Sequence, residues 1–295
     1  MLYCVTDIGS NTVKCNICEY DKNEPKMIDF LSERLGLIAK IKNGILPKEN
    51  IDELCNTVKR YKNAVAERGE YKFYCFATQA LRTVSNLDEI KSALSEIGVE
   101  LDLISGEDEA KLSFLGLSSK HNFKSGLMVD MGGASTEFLC SDEGVIKGVH
   151  SFAFGCLYLK KEYVKNKFPT EEEANRIYND VYSMISDFNL FSDNSLICLV
   201  GGTAKAIKKL LIFFFGKDSE IYPIEDLYDL IKKLSAEPNR YEKILRDILP
   251  ERVDTVIPGA MAYKAIADFS DAKRFLISNG GIRDGYLLEK LGEQK

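Results

Sequence analysis

Residues 129 to 138 read VDMGGASTEF, so a carboxylate, two glycines, two hydroxyls and a second carboxylate fall between Asp130 and Glu137. Glycines let a backbone approach an anion closely, and backbone N–H groups and hydroxyls donate to its oxygens. Gly132, Gly133, Ser135 and Thr136 are therefore candidate phosphate donors. Acids inside an anion site make sense only with a divalent cation, which is hard, prefers oxygen ligands and bridges carboxylate to phosphate. Asp130 and Glu137 are candidate ligands for Mg2+ or another divalent cation. The plainer reading is a β-hairpin whose glycines permit positive φ, with the Asp capping the turn and the Glu facing solvent.

The pattern occurs twice. VTDIGSNTVKCNI near the start and MVDMGGASTEFLC share an Asp, a Gly two residues on and a Ser or Thr five residues on. Asp7, Gly9 and Thr12 thus correspond to Asp130, Gly132 and Ser135. Ser10, Asn11 and Thr12 join the phosphate donors, and Asp7 joins the metal candidates. A third glycine pair, in LVGGTAKAI, follows an apolar run and opens a helix. Gly201, Gly202 and Thr203 there offer a helix N-terminus to an anion, or simply cap the helix.

In ISGEDEAKLSFLGL, Ser105 and Asp108 have the spacing of a capping box, and Glu107 stands four residues before Lys111, a surface ion pair. Glu109 has neither role. It shares a helix face with Leu112, Ser113 and Gly116, which suits a partly desolvated carboxylate acting as general base toward water. Arg82, in ATQALRT, follows a strand and can fork two N–H groups to a phosphate; the alternative is a surface arginine. Lys160, Lys161, Lys165 and Lys167 fit either a path for a polyanion or, more simply, a solvated helix face.

These residues need a scaffold that places both loops. YCVTDIG, TVKCNICEY and KMIDFLSERLG read as an antiparallel meander separated by SN and DKNEPK. A helix is expected over 48–68, then a strand KFYCFAT, a helical stretch QALRTVSNLDEIKSALSEIG, a strand VELDLI and a helix over 106–119. The polar stretch 119–126 reads as a linker, after which the plan restarts. The expectation is a pair of duplicated α/β domains, 1–122 and 123–295, with the terminal helix RDGYLLEKLG placed to pack back on the first. The ligand is then expected in a cleft between them, where two paired loops face one another.

Composition narrows the function classes. A net charge of -6 argues against a general nucleic-acid binder, and no run of about 20 apolar residues exists to span a membrane. The early Asp7 argues against a signal peptide, so a cytoplasmic protein is expected. Most of the eight cysteines lie in apolar strand-like runs and read as buried reduced thiols. Cys15 and Cys18 have CxxC spacing, yet on a strand they point to opposite faces and cannot share a metal.

Taken together, DIGSNT, ATQALR, SGEDEA, VDMGGASTE, VGGTA and GGIRDG, in this order from Asp7 to Gly285, resemble the exopolyphosphatase / guanosine pentaphosphate phosphatase (Ppx/GppA) family. The resemblance implies two ribonuclease-H-like domains of the actin-like ATPase superfamily with a central interdomain cleft. It also implies hydrolysis of terminal phosphate from inorganic polyphosphate, or of the 5′ γ-phosphate of pppGpp, with a divalent metal. It makes Glu109 the carboxylate that activates water, puts Asp130 and Glu137 at the metal, and sets Gly132, Ser135, Ser10, Asn11 and Arg82 around the phosphates. Polyphosphate or a guanosine penta- or tetraphosphate is the expected partner, and a homodimer is left open. Three positions depart from the family pattern: Ala134 for a third Gly, Lys14 for an Arg, and Tyr158 for an Arg. The short two-domain form of the family is expected, without the extra helical domains of long members. A small-molecule kinase of the same superfamily and a non-catalytic alarmone or polyphosphate sensor are the alternatives.

Overall fold

Strands β1 (Leu2–Ile8), β2 (Thr12–Tyr20) and β3 (Pro25–Arg34) come first, then helices α1 (Leu37–Lys40) and α2 (Lys48–Ala66). Strand β4 (Tyr71–Ala77), helices α3 (Gln79–Arg82) and α4 (Leu87–Glu96), and strand β5 (Asp102–Leu103) follow. Helix α5 (Gly106–Ser118) leads to β6 (Gly126–Met131), β7 (Thr136–Asp142), β8 (Val145–Phe152), α6 (Cys156–Tyr163) and α7 (Glu171–Ile185). The remainder is β9 (Leu196–Val200), α8 (Gly202–Phe215), β10 (Ile221–Pro223), α9 (Ile224–Ala236), α10 (Pro238–Ile248), α11 (Val256–Phe269), β11 (Arg274–Ile277) and α12 (Ile282–Gly292). This computed structural model describes residues 1–20, 25–190 and 195–292, so the turn expected at DKNEPK lies mostly outside the described residues.

Contacts divide the chain into two units, Met1–Leu112 with the segment from Ile282 onward, and Ser113–Gly281. The division falls inside α5 and not in the polar stretch 119–126. Leu112 is buried with Tyr3, Val5 and Phe76 of the first unit, whereas Ser113 bonds Asp130 of the second. The chain therefore crosses on a continuous helix, and the polar stretch is only the loop into β6.

In the first unit the sheet order is β3-β2-β1-β4-β5. β1, β2 and β3 pair antiparallel, while β4 and β5 run parallel to β1. β1 is buried almost throughout, as a strand covered on both faces must be. Its alternate residues separate two clusters: Leu2, Cys4 and Ile8 pack with the buried faces of α2 and α4, and Tyr3 and Val5 pack with Tyr286, Leu287 and Leu291 of α12. The second unit has the order β10-β11-β9-β6-β7-β8, with β6–β8 antiparallel and β9 and β11 parallel to β6. The two sheets share one plan, a three-strand meander continued by parallel strands, as the repeated loop sequence predicts.

Two local expectations differ, and one strand was not expected. The helical stretch after β4 breaks at 83–86, where the Asn86 side chain accepts from Leu46 N–H at 3.0 Å and donates to Leu46 C=O at 2.9 Å; a long-range amide bond outcompetes helix continuation there. The strand VELDLI shrinks to Asp102–Leu103. Strand β10 was not legible at all, because it is three residues long and ends in proline. Eight free cysteines are present, seven of them buried, and among the described residues no helix is long and apolar enough to cross a membrane.

Helix α7 opens with a capping box. Thr170 Oγ1 accepts from Glu173 N–H, and Glu173 accepts from the N–H groups of Thr170 at 2.9 Å and Lys165 at 3.1 Å. These donors, Thr170 foremost, hold the Glu173 carboxyl below its ordinary value of 4.5. A depressed carboxyl stabilises fully above its unfolded value and loses that contribution as pH falls through its folded value. Glu173→Gln keeps the capping acceptor but loses the charge near the helix N-terminus, and is expected to lower stability by about 0.3–1 kcal/mol at pH 7, with the deficit shrinking toward pH 3. Denaturant titrations at both pH values check this.

Candidate functional site

The loop between β6 and β7 in the second unit is closed by Gly132 N–H donating to Ser135 C=O at 3.0 Å. Gly132 and Gly133 aim their carbonyls at the start of α6: Cys156 N–H donates to Gly132 O at 3.0 Å, and Leu157 and Tyr158 N–H donate to Gly133 O at 2.8 and 3.1 Å. A trans peptide points its N–H opposite to its C=O. The N–H groups of Gly133 and Ala134 are thereby turned away from α6, as an anion cradle requires. The approach is so close that a Cβ at Gly155 would stand 2.6 Å from Gly133 C and 2.7 Å from Ala134 N.

The first unit builds the same turn. Gly9 N–H donates to Thr12 C=O at 3.2 Å, Ser10 O accepts from Ile38 N–H at 3.0 Å, and Asn11 O accepts from Leu35 and Gly36 N–H at 3.0 and 2.8 Å. The N–H groups of Asn11 and Thr12 face away from these donors by the same peptide geometry. Ser10 and Thr12 are buried, and Asn11 Oδ1 accepts from Arg34 Nε at 3.3 Å.

Charge separates the two loops. Asp7 lies opposite Lys14 in the β1–β2 register and is ion-paired with Arg283 at 3.0 Å; Arg283 also donates to Asn16 at 2.8 Å. Asp7 thus stands opposite one cation and is paired with another. Asp130 instead lies opposite Glu137 in the β6–β7 register. Directly opposed residues share a face, and like charges there repel. Glu137 is only 1% exposed and accepts from Ser151 Oγ at 2.8 Å. Asp130 accepts from the buried Ser113 Oγ at 2.5 Å. Buried Cys198 and Tyr263 are pushed well above their ordinary thiol and phenol values, chiefly by desolvation and next by the negative charge of Asp130.

The opposed carboxylates of Asp130 and Glu137 could offer oxygen ligands to a hard divalent cation, with water and phosphate oxygens completing its shell. Among the described residues no group of three or more His, Cys, Asp or Glu that could hold a metal ion is present.

At the β9–α8 turn, Gly201 has φ +95°, and a Cβ there would lie 2.8 Å from Asp130 Oδ1. A Cβ at Gly202 would overlap the Arg252 guanidinium, which also donates to Thr203 Oγ1 at 3.4 Å. An arginine therefore lies against the α8 N-terminus. Thr136 behaves differently from the expectation: its buried hydroxyl donates to Phe154 C=O at 2.6 Å, a structural bond.

In the first unit, Glu109 Oε2 is 2.8 Å from Arg82 Nη1, with both side chains largely buried. Arg82 also donates to Ile104 C=O at 2.8 Å and to Gln79 Oε1 at 3.0 and 2.7 Å. All three guanidinium nitrogens have protein acceptors, and one of them is Glu109. Ser105 and Asp108 form the expected cap at 3.1 Å, but Lys111 pairs with Asp108 at 3.3 Å and not with Glu107. Sequence reasoning missed Arg252, Arg283 and Ser151. Arg283 sits in GGIRDG, whose glycines hid it; nothing in PERVD marks Arg252.

A family model described as the Ppx/GppA phosphatase family matches residues 32–294, and the chain belongs to that family. It is 24% identical over 303 residues to exopolyphosphatase 1 of Mycobacterium leprae, covering 98% of this chain and 89% of that protein. It is 28% identical to a bifunctional 3-dehydroquinate synthase/phosphatase of Fusobacterium nucleatum, over 96% of this chain but only 46% of that relative's length. A guanosine-5'-triphosphate,3'-diphosphate pyrophosphatase of Pseudoalteromonas atlantica is 23% identical, over 97% of this chain and 58% of its own. Among solved structures, an Aquifex aeolicus Ppx/GppA family member superposes with a TM-score of 0.86 at 22% identity, covering 100% of this chain and 99% of that one. That likeness establishes the fold.

Gly155→Ala tests the cradle. Its backbone is extended, so the added methyl brings contact and no φ strain. Overpacking against the Gly132–Ala134 backbone is expected to cost about 1–3 kcal/mol, measured by denaturation.

Proposed function

We propose that the protein is a divalent-cation-dependent exophosphatase that hydrolyses the terminal phosphoanhydride bond of inorganic polyphosphate or the 5′ γ-phosphate of pppGpp. The observation that carries this reading is the Gly132–Ser135 loop, whose amides are turned outward by α6 beside the opposed acids Asp130 and Glu137. Family membership and relatives named exopolyphosphatase and guanosine-5'-triphosphate,3'-diphosphate pyrophosphatase support the substrate class.

In this reading Gly133 N–H, Ala134 N–H and Ser135 hold the phosphate in the second unit, with Gly201, Gly202 and Arg252 extending the anion site at α8. Asn11 and Thr12 N–H act on phosphate oxygens from the first unit. Asp130 and Glu137 hold a divalent cation, which when bound neutralises phosphate charge. Glu109, kept in place by Arg82, accepts a proton from water as its oxygen bonds the terminal phosphorus. The bridging P–O bond breaks, and the shortened phosphate chain or nucleotide leaves with the electron pair. Free cysteines suit a reducing compartment, and we place the enzyme in the cytoplasm.

Phosphate release from short polyphosphate, long polyphosphate and pppGpp with Mg2+ tests the reading. Glu109→Gln is expected to lower kcat by about 10²–10⁴; equal rates in wild type and variant would remove Glu109 as base. Arg82→Ala separates positioning from binding. If Arg82 acts through Glu109, kcat falls with KM little changed, whereas a rise in KM at constant kcat would make Arg82 a phosphate ligand.

A further inference from the structure

Ser113 occupies an unusual position for a serine. It lies in the interior of α5, fully buried. A serine there commonly returns its proton to the carbonyl one turn earlier in the same helix. Here the Oγ donates outside the helix to Asp130 Oδ2 at 2.5 Å. On its other side, the Asp130 carboxylate meets the bare backbone of Gly201, where a Cβ would stand 2.8 Å from Oδ1. One oxygen is tied by a hydroxyl, and the absence of a side chain at Gly201 leaves the room that the other needs, so Ser113 holds Asp130 in this rotamer. Glu137, its opposed partner, is fixed in the same manner by Ser151 Oγ at 2.8 Å.

We propose that Ser113 is a positioning residue for a divalent cation: it pre-orients the Asp130 carboxylate toward the oxygen site that Asp130 shares with Glu137. The inference rests on the reading of that pair as the cation's holders. Its physical basis is entropy. A carboxylate already held in its binding rotamer loses less freedom when it binds a cation. Removing partners of this kind weakens metal affinity by about 10- to 100-fold.

The test is Mn2+ binding to the full chain, read as loss of the free-ion EPR signal, for wild type, Ser113→Ala and Ser113→Cys. Circular dichroism and melting temperature report folding. The cysteine keeps the buried volume but donates weakly, so it decides the matter if the alanine variant does not fold. The expected result is a 10- to 100-fold weaker Mn2+ Kd in Ser113→Ala and a smaller loss in Ser113→Cys, with native circular dichroism. Wild-type affinity in folded variants would overturn the positioning role alone. A wild-type protein that takes up no Mn2+ would overturn the cation reading, and this inference with it.

Discussion

Two carboxylates stand directly opposed on one face of a sheet, Asp130 on β6 and Glu137 on β7, and much of the second unit's local structure answers that constraint. Opposed like charges repel, and burying one of them, as Glu137 is buried, raises the cost. The protein does not relieve it by substitution. Instead it supplies a serine hydroxyl to each acid, from Ser113 and Ser151, and leaves glycine at 201 where a side chain would displace Asp130. In the proposed reading the same arrangement presents both carboxylates to a cation.

The first unit is an internal comparison. Its loop repeats the same hydrogen-bonded turn, Gly9 to Thr12 against Gly132 to Ser135, yet its acid faces Lys14 across the strands and Arg283 from α12. One backbone design thus stands in two electrostatic settings: an acid paired with an arginine in the first unit, and two acids opposed across the strands in the second. Where a loop carbonyl finds its donor also matters. In each case the backbone that follows the meander binds the loop carbonyls and turns the neighbouring N–H groups the other way.

Backbone geometry was legible in the sequence to the extent that it follows from glycine spacing and strand alternation. The doubled D-x-G pattern predicts both turns and both meanders, and the helical periodicity around Glu109 predicts a face turned from water. What the sequence hides is decided by contacts between distant residues. Arg283 reaches Asp7 from 276 residues away along the chain. Arg82 spends its guanidinium on Gln79, Ile104 and Glu109. Thr136, one of two adjacent hydroxyls, turns inward to Phe154 while its neighbour Ser135 closes the loop through its carbonyl. Residue type announces a possible donor; only packing decides which acceptor receives it.

In the proposed reading the cation binds at the Asp130–Glu137 pair and not at Asp7. Anomalous diffraction from crystals of the protein equilibrated with Mn2+ distinguishes the two positions. A manganese peak is expected within coordination distance of Asp130 and Glu137 carboxylate oxygens. A peak at Asp7, with none at Asp130 and Glu137, would overturn that reading.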